Sequence, residues 1–314
     1  MRCRAFLLAT ALSAFAASAA HAQQFPERPI SMIIPWAAGG STDQSGRALA
    51  KAAEAHLGQP IVILNKPGAT TTIGMAELAR AKPDGYTIAT LSSSSYLLAL
   101  QGRELPYHPI DAFSYISYYG DNLIGVAVPA DSPWKKLADL IADGKSQPGK
   151  LKFGTGGVGT TQHLTTEALM LSTGAKFTHI PQQGSAGSMP ALLGKHVDFV
   201  TETSVWAPFV AQGQVRLLAV TTPKRSSAYP EVPTLAELGF ATLRSVQAIV
   251  APAGLPEPVR MRLEVAFRKS LKDPGFLAAM KRLSMEVVDL PGAEVKKLVE
   301  NEFLRARVVV AKTK

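Results

Sequence analysis

The chain carries the stretch Pro35-Trp36-Ala37-Ala38-Gly39-Gly40-Ser41-Thr42-Asp43 and, later, its counterpart Gly154-Thr155-Gly156-Gly157-Val158-Gly159-Thr160-Thr161. Each stretch follows an apolar strand and leads into a helix that opens with hydroxyl residues. A helix N-terminus presents unpaired N–H groups and partial positive charge, so each loop is a candidate anion site. Two such loops, one in each lobe of a two-lobed chain, would face each other across a cleft and hold a small carboxylate from both sides.

The first residues have the pattern of a secretory signal peptide. Arg2 and Arg4 form a positive segment, residues 5–17 are apolar but too few to span a bilayer, and Ala20-His21-Ala22 is a typical cleavage site. The sequence therefore predicts a leader over residues 1–22 and a mature chain that starts near Gln23 in the periplasm.

Composition narrows the function classes further. The single cysteine, Cys3, lies in the predicted leader, so the mature chain would have neither a disulfide nor a thiol nucleophile. No later segment is apolar for long enough to cross a membrane, which predicts no stable membrane insertion. The net charge is +9, but the basic residues are scattered rather than arranged in a stripe with aromatics, which argues against nucleic-acid binding.

Short buried strands alternate with helices along the chain, which is typical of an α/β fold. The first helix is predicted over residues 41–57, with Ser41 and Gln44 as a capping box. A mature chain of about 290 residues exceeds one comfortable core, which favours two lobes. We place lobe one at residues 23–123 plus 246–314 and lobe two at 124–245, with apolar crossovers at 115–129 and 245–251.

The second loop has alternative interpretations. Gly154, Gly156 and Gly159 match the dinucleotide fingerprint, but that fingerprint also needs an acidic residue about 20 positions later to hold the ribose. Residues 168–197 contain no Asp or Glu, and an exported protein is separated from the nicotinamide pool. Two interpretations of this loop remain, a tight strand–helix turn and a loop whose N–H groups bind an anion. We adopt the second.

The sequence shows no catalytic or metal-binding constellation. Ser132-Pro133-Trp134-Lys135 matches a serine acyl-enzyme motif only formally, without the accompanying elements. The histidines lack metal-ligand spacing, and Asp43 in a first helical turn indicates a stabilising role with the helix dipole. We therefore expect neither an enzyme nor a metal or other cofactor.

Three further residues are candidate ligand contacts, each with a structural alternative. Trp36 can form the floor of a ligand site or pack against lobe one. His163 lies in the first turn of the second helix and is either a hydrogen-bonded structural residue or a ligand contact. Glu202 follows a predicted strand at 197–201 and either lines the cleft, where it would favour a ligand with an amine or hydroxyl donor, or is a solvated loop residue.

A series of short motifs resembles one family over essentially the whole mature chain, in order. The motifs are Pro35 to Asp43, Asp84-Gly85-Tyr86-Thr87, Leu105-Pro106-Tyr107, Pro148-Gly149-Lys150-Leu151, Gly154 to Leu164, Leu192 to Asp198, Arg216 to Thr221, Val232-Pro233-Thr234 and Ala251-Pro252-Ala253-Gly254. The chain resembles the Bug-type extracytoplasmic solute-binding proteins of tripartite tricarboxylate transporters.

This resemblance implies a two-lobed type II periplasmic-binding-protein fold with a central cleft and two crossover strands. It also implies capture of a small organic carboxylate for a membrane permease, the ligand being a di- or tricarboxylate, an acidic amino acid or an aromatic acid. Family ligand contacts come from the two glycine loops and from the strand end at Ser92 and Ser93, often with bridging waters.

One departure from the family pattern concerns the distal pocket. The family usually has an aromatic–basic–glycine run after its His-Ile/Val-Pro step, whereas this chain has Gln182-Gln183-Gly184. The acidic residue common shortly before Leu192 is absent as well. If Gln182 contacts the ligand, this pocket is more amide-like than that of its relatives, which argues against a highly charged tricarboxylate.

We thus predict a monomeric periplasmic solute-binding protein in which lobe closure buries a carboxylate held at two helix N-termini. Rival readings are a ligand-presenting component of a sensing system and, less favoured, an exported hydrolase. The predicted ligand-binding residues are Trp36, Ala37, Ala38, Gly40, Thr42, Ser92, Ser93, Thr155, Gly157, Val158, Thr160, Thr161, His163, Gln182 and Glu202.

Overall fold

The computed structural model describes residues 25–311, so the predicted leader lies outside the described residues. Lobe one is built on a six-stranded mixed sheet. Its strands are β1 (Ile30–Ile34), β2 (Ile61–Asn65), β3 (Thr87–Ser92), β4 (Phe113–Asp121), β10 (Val246–Pro252) and β11 (Val287–Pro291), in the order β11-β4-β10-β3-β1-β2. Its helices are α1 (Ser41–Leu57), α2 (Thr72–Arg80), α3 (Ser94–Leu100), α8 (Glu257–Ser270), α9 (Pro274–Arg282) and α10 (Gly292–Ala311).

Lobe two is built on a five-stranded mixed sheet with the order β7-β6-β8-β5-β9. Its strands are β5 (Ile124–Pro129), β6 (Lys152–Thr155), β7 (Thr178–Pro181), β8 (Phe199–Thr203) and β9 (Val215–Val220). Its helices are α4 (Leu137–Ser146), α5 (Thr161–Thr173), α6 (Ser188–Leu193) and α7 (Ala207–Ala211), with short 3₁₀ turns at Ser185–Gly187 and Ser204–Trp206. The two sheets confirm the predicted two-lobed α/β architecture, while the lobe boundaries to the residue stay a prediction.

The strands are apolar runs in the amino-acid sequence because helices cover both faces of each sheet. In β1, Met32 belongs to the core on one face and Ile33 to the core on the other, and both are fully buried. Strands buried on both faces lose the alternation of apolar and polar residues. The parallel pairing of β1 with β2 and β3 brings the carboxyl ends of β1 and β3 together, and the loops that follow them face lobe two.

Helix α1 begins at its predicted residue, but the predicted capping box is wrong. Gly40 is the N-cap, in an extended conformation and without a side-chain cap. The Ser41 hydroxyl instead reaches lobe two, and the Gln44 amide donates to the carbonyl of Gly39 over 2.8 Å. A capping box relies on local hydrogen bonds, whereas here a long-range partner takes the serine hydroxyl.

The predicted first crossover, residues 115–129, contains two strands of different sheets. Strand β4 ends at Asp121 in lobe one and β5 begins at Ile124 in lobe two, so the passage between lobes is the pair Asn122-Leu123. The return passage ends where β10 enters the lobe-one sheet between β3 and β4. Among residues 25–311, no helix combines the length and the apolar character needed to cross a bilayer.

Candidate functional site

A small cavity lies between the lobes at the N-terminus of α1, and we call it the inner cavity. Its volume is about 20 Å³, which is room for roughly one water molecule. Lobe one and the crossovers contribute Trp36, Ala37, Gly40, Ser41, Thr42, Ser92, Ser94, Asn122 and Ser245, while lobe two contributes Gln162, Ser185 and Thr203. This wall is rich in hydroxyl and amide groups, and no ionisable side chain of the described residues lines it.

The first glycine loop is held by a buried carboxylate. Asp43 is 3 % exposed, accepts a hydrogen bond from the Gly39 N–H at 2.9 Å, and pairs with Arg47 at 2.9 Å. Asn65 links the same carboxylate, at 2.8 Å, to the carbonyl of Trp36. These contacts fix the loop while the backbone N–H groups of Ala37 and Ala38 donate to no group between residues 25 and 311. Two unpaired donors therefore flank the start of α1.

Trp36 lies at the junction of two cavities. Its indole N–H donates to the Ser92 hydroxyl over 3.3 Å, which ties the loop after β1 to the end of β3. The neighbouring Ser93 serves the framework instead, because its hydroxyl oxygen accepts from the Val246 N–H and from the Tyr96 hydroxyl. The ring of Trp36 thus separates the inner cavity from a larger opening and can support a ligand that extends from one into the other.

Glu202 lies within strand β8 rather than after it, and its side chain is fully buried. Its carboxylate accepts hydrogen bonds from Gln162 at 2.9 Å, Ser185 at 2.7 Å, Ser188 at 2.8 Å and the Thr203 N–H at 2.7 Å. Glu202 is therefore not a solvated loop residue. Its carboxylate orients Gln162, Ser185 and Thr203, and these three residues form the lobe-two wall of the inner cavity.

The second glycine loop is stabilised by its own side chains. The Thr155 hydroxyl accepts from the Gly157 N–H at 3.2 Å, and His163 Nδ1 accepts from the Gly159 N–H at 3.2 Å. Thr160 is the N-cap of α5, where it accepts from the His163 N–H and donates to the Gly157 carbonyl. The Thr161 hydroxyl is buried and has no partner among the described residues.

Two histidines stack behind this loop. The rings of His163 and His179 lie 4.2 Å apart, and Phe153 continues the stack with its centroid 4.6 Å from that of His179. His179 Nε2 shares a 2.8 Å hydrogen bond with the Thr155 hydroxyl. Burial, together with the neighbouring His163, lowers the pKa of His179 to about 4, so this ring is neutral at neutral pH.

A larger opening, which we call the outer cavity, continues from Trp36 and Ala37 toward solvent and has a volume of about 600 Å³. Loop 67–71 and Arg103 form its lobe-one side. Residues 156–158 and 181–184 form its lobe-two side. The two glycine loops thus meet here, although only the first of them lines the inner cavity.

The predicted ligand-binding residues fall into three groups by position. Those on the inner cavity are Trp36, Ala37, Gly40, Thr42 and Ser92; those on the outer cavity are Trp36, Ala37, Gly157, Val158 and Gln182. Those that line neither cavity are Ala38, Ser93, Thr155, Thr160, Thr161, His163 and Glu202.

Sequence reasoning missed the two crossover residues Asn122 and Ser245. The Asn122 N–H donates to the Ser245 carbonyl at 2.9 Å, and its amide approaches the Thr42 hydroxyl at 3.4 Å. The polar interruption at Asp121-Asn122 in a long apolar run was the available signal. In the described part of the chain, no group of three or more His, Cys, Asp or Glu side chains is arranged to hold a metal.

Comparison with known proteins gives the family. Residues 46–314 match the model of the tripartite tricarboxylate transporter family receptor. The chain belongs to this receptor family. It is 38 % identical to a Cupriavidus necator protein described as the UPF0065 protein in the gbd 5′ region, over 97 % of this chain and 94 % of that one.

Solved structures agree with this assignment. The receptor is 31 % identical to the periplasmic binding protein BugD, with a TM-score of 0.86 over 92 % of this chain and 98 % of that one. An R. palustris protein solved with adipate is 27 % identical, with a TM-score of 0.86 over the same shares of both chains. Family membership and these neighbours make this receptor a solute-binding protein rather than an enzyme.

Proposed function

We propose that this receptor captures a small organic carboxylate in the periplasm and presents it to the membrane permease of a tripartite transporter. The carboxylate docks at the start of α1, where Ala37, with its unpaired N–H group, and the hydroxyl residues Ser41 and Thr42 line the inner cavity. The rest of the ligand extends past Trp36 into the outer cavity. The chain acts as a monomer, and a leader cleaved near Ala22 directs its export.

The observation that carries this proposal is the chemistry of the inner cavity. Its lining holds hydroxyls, amides and backbone N–H groups at the N-terminus of a 17-residue helix, and no acidic side chain from the described part of the chain lies on it. A helix N-terminus contributes up to about 2 kcal/mol to a partly buried anion, and each hydrogen bond to a carboxylate about 1.5–3 kcal/mol. A few such contacts are sufficient for micromolar affinity after the cost of association.

Lobe closure supplies the second half of the mechanism. Three hydrogen bonds join the lobes around the cavities: Ser41 to Thr203 at 3.0 Å, Thr70 to the Val158 carbonyl at 2.7 Å, and Gln101 to the Gly159 carbonyl at 3.1 Å. An inner cavity of about 20 Å³ cannot admit a carboxylate group without separation of these contacts. Binding therefore requires opening, entry and reclosure about the two crossovers.

A thermal-shift titration of the mature protein tests this proposal. Hexanoate, adipate and hexanamide are compared at equal concentrations, because a ligand that binds only the folded state raises the melting temperature. We expect the two acids to stabilise the protein and the amide to have no effect. Equal stabilisation by hexanoate and hexanamide would show that the site does not distinguish a carboxylate from an amide.

A further inference from the structure

The outer cavity has an uneven charge distribution. Its walls comprise backbone of the two glycine loops, the amides of Gln182 and Gln183, small residues of loop 67–71, and one ionisable side chain, Arg103. Among residues 25–311, no carboxylate lines this cavity. A negatively charged group that enters it therefore meets one positive charge and no negative charge.

Arg103 follows helix α3 on a turn that is held in place at both ends. Its backbone N–H donates to the Leu98 carbonyl, and the side chain of Gln101, two residues earlier, donates to the Gly159 carbonyl of lobe two. The Arg103 guanidinium itself makes no ion pair and no hydrogen bond with any residue between 25 and 311. By contrast, Arg244 elsewhere in the molecule pairs with Asp121 at 2.7 Å.

Trp36 and Ala37 line both cavities, so these two residues form the wall between them. A carboxylate held at the start of α1 fills the inner cavity, so the carbon chain of its ligand has to pass Trp36 into the outer one. The far end of an extended ligand then lies in the space that Arg103 faces. A guanidinium binds a carboxylate with two parallel N–H···O hydrogen bonds, which makes it a selective partner for such a group.

We propose that Arg103 is a specificity-determining residue that binds a second, distal carboxylate, so that this receptor selects straight-chain dicarboxylates over monocarboxylates. This inference rests on the proposed function, because it takes the first carboxylate to be held at α1. Lobe closure brings residues 156–159 against the turn that carries Arg103, and it shields the new ion pair from solvent on one side.

Calorimetric titration with matched ligands tests this assignment. The probes are adipate and its monoamide, which have the same length and differ by one charge, together with the pairs built on succinate and suberate. The proteins are the wild type, Arg103→Gln, Arg103→Lys and the control Arg80→Gln, which removes an exposed positive charge from helix α2 instead.

For at least one chain length, we expect the wild type to bind the diacid about tenfold or more tightly than its monoamide. Arg103→Gln should reduce this ratio to below about twofold and leave the monoamide affinity unchanged, whereas Arg103→Lys should retain part of the preference. Arg80→Gln should keep the wild-type ratio. Circular dichroism confirms that the variants are folded.

Two outcomes would contradict the proposed role of Arg103, and only the second would also contradict the proposed function. One outcome is that monoamides and diacids bind the wild type equally, or that Arg103→Gln keeps the wild-type ratio of the two affinities. Arg103 then does not bind the distal carboxylate, but the proposed carboxylate site at α1 is not contradicted. If no mono- or dicarboxylate of the series binds at all, the proposed function fails and the role of Arg103 fails with it.

Discussion

The Ser41 hydroxyl of lobe one donates a hydrogen bond to the Thr203 hydroxyl of lobe two over 3.0 Å. Both residues are buried, and the chain of hydroxyls continues from Thr203 to Ser185 and ends on the Glu202 carboxylate. The first residue of α1 is therefore coupled to an acidic group in the other lobe. Hydrogen bonds in such a chain polarise one another, which favours their making and breaking together.

Ser41→Ala should shift the ligand-free protein toward the open arrangement of its lobes. The substitution removes one interlobe hydrogen bond, worth about 0.5–1.5 kcal/mol. Spin labels placed on exposed positions of the two lobes report the distance distribution. Ser45→Ala is the matched control, because Ser45 lies buried in the same helix and the partners of its hydroxyl, the Thr42 carbonyl and Tyr119, belong to lobe one. Identical distributions for wild type and Ser41→Ala would contradict the coupling.

Gly40→Ala should block the inner cavity while the fold is retained. The backbone of Gly40 is extended, with φ −75° and ψ 168°, so alanine fits without strain. An added Cβ would lie 3.7 Å from the Ser185 Cβ, an ordinary contact, but it would occupy most of a cavity of about 20 Å³. We expect affinity for the best carboxylate to fall at least tenfold, which corresponds to about 1.4 kcal/mol.

The melting temperature of Gly40→Ala serves as its control, since the change in unfolding free energy should stay within about 1 kcal/mol. Unchanged affinity in a folded Gly40→Ala protein would place the carboxylate elsewhere.

Single substitutions of Thr160 and Thr161 should separate capping from ligand binding. Thr160→Val removes the N-cap of α5 and should lower the free energy of unfolding by about 1 kcal/mol with little loss of affinity. Thr161→Val replaces a buried hydroxyl that has no partner among the described residues, so the free energy of unfolding should not change. If this hydroxyl binds the ligand in the open protein, the affinity for the carboxylate should fall at least tenfold. Urea unfolding and calorimetric titration measure the two effects, and an unchanged affinity in Thr161→Val would remove this residue from the site.

His179 should make the protein less stable in mild acid. Its pKa is about 4 in the folded state against an ordinary value of 6.5, because burial and the adjacent His163 disfavour the charged form, against a smaller opposing effect of Glu167. Between these values the unfolded chain binds more protons, so the free energy of unfolding decreases as the pH falls from 6.5 toward 4. The loss is at most roughly 3 kcal/mol, and solvent screening reduces it.

His179→Gln should flatten this part of the pH profile, whereas His196→Gln, at an exposed histidine, should not. Urea titrations at pH 6.5 and 4.5 compare the three proteins. If wild type and His179→Gln lose the same stability between these pH values, other groups are responsible.

The sequence was sufficient to predict elements that are set by local patterns. The bounds of α1 agree with prediction, because apolar periodicity and a glycine at each end define them. Residues 115–129 are harder to divide from sequence, because one apolar run serves two sheets and the polar pair Asp121-Asn122 is a weak sign of the boundary between β4 and β5.

The candidate site was predictable where backbone chemistry defines it and not where distant side chains do. The glycine loop at Gly40 is predictable because Gly-Gly before a helix is a local signal. For Glu202 the sequence leaves two alternatives, a cleft-lining residue and a solvated loop residue, because nothing near it in sequence reveals the hydroxyls of Ser185 and Ser188 that enclose its carboxylate. Arg103 belongs to none of the sequence motifs described above, and only the arrangement of the two lobes places it on the outer cavity.

The position of β10 in the lobe-one sheet sets an order of assembly. This strand lies between β3 and β4, although almost all of lobe two separates it from them in the chain. As the polypeptide is made from its N-terminus, β5 to β9 are complete before residue 246 appears, so lobe two can fold while the first sheet is still divided. The two halves of the lobe-one sheet join only when β10 arrives, so the proposed carboxylate site at α1 is completed after lobe two.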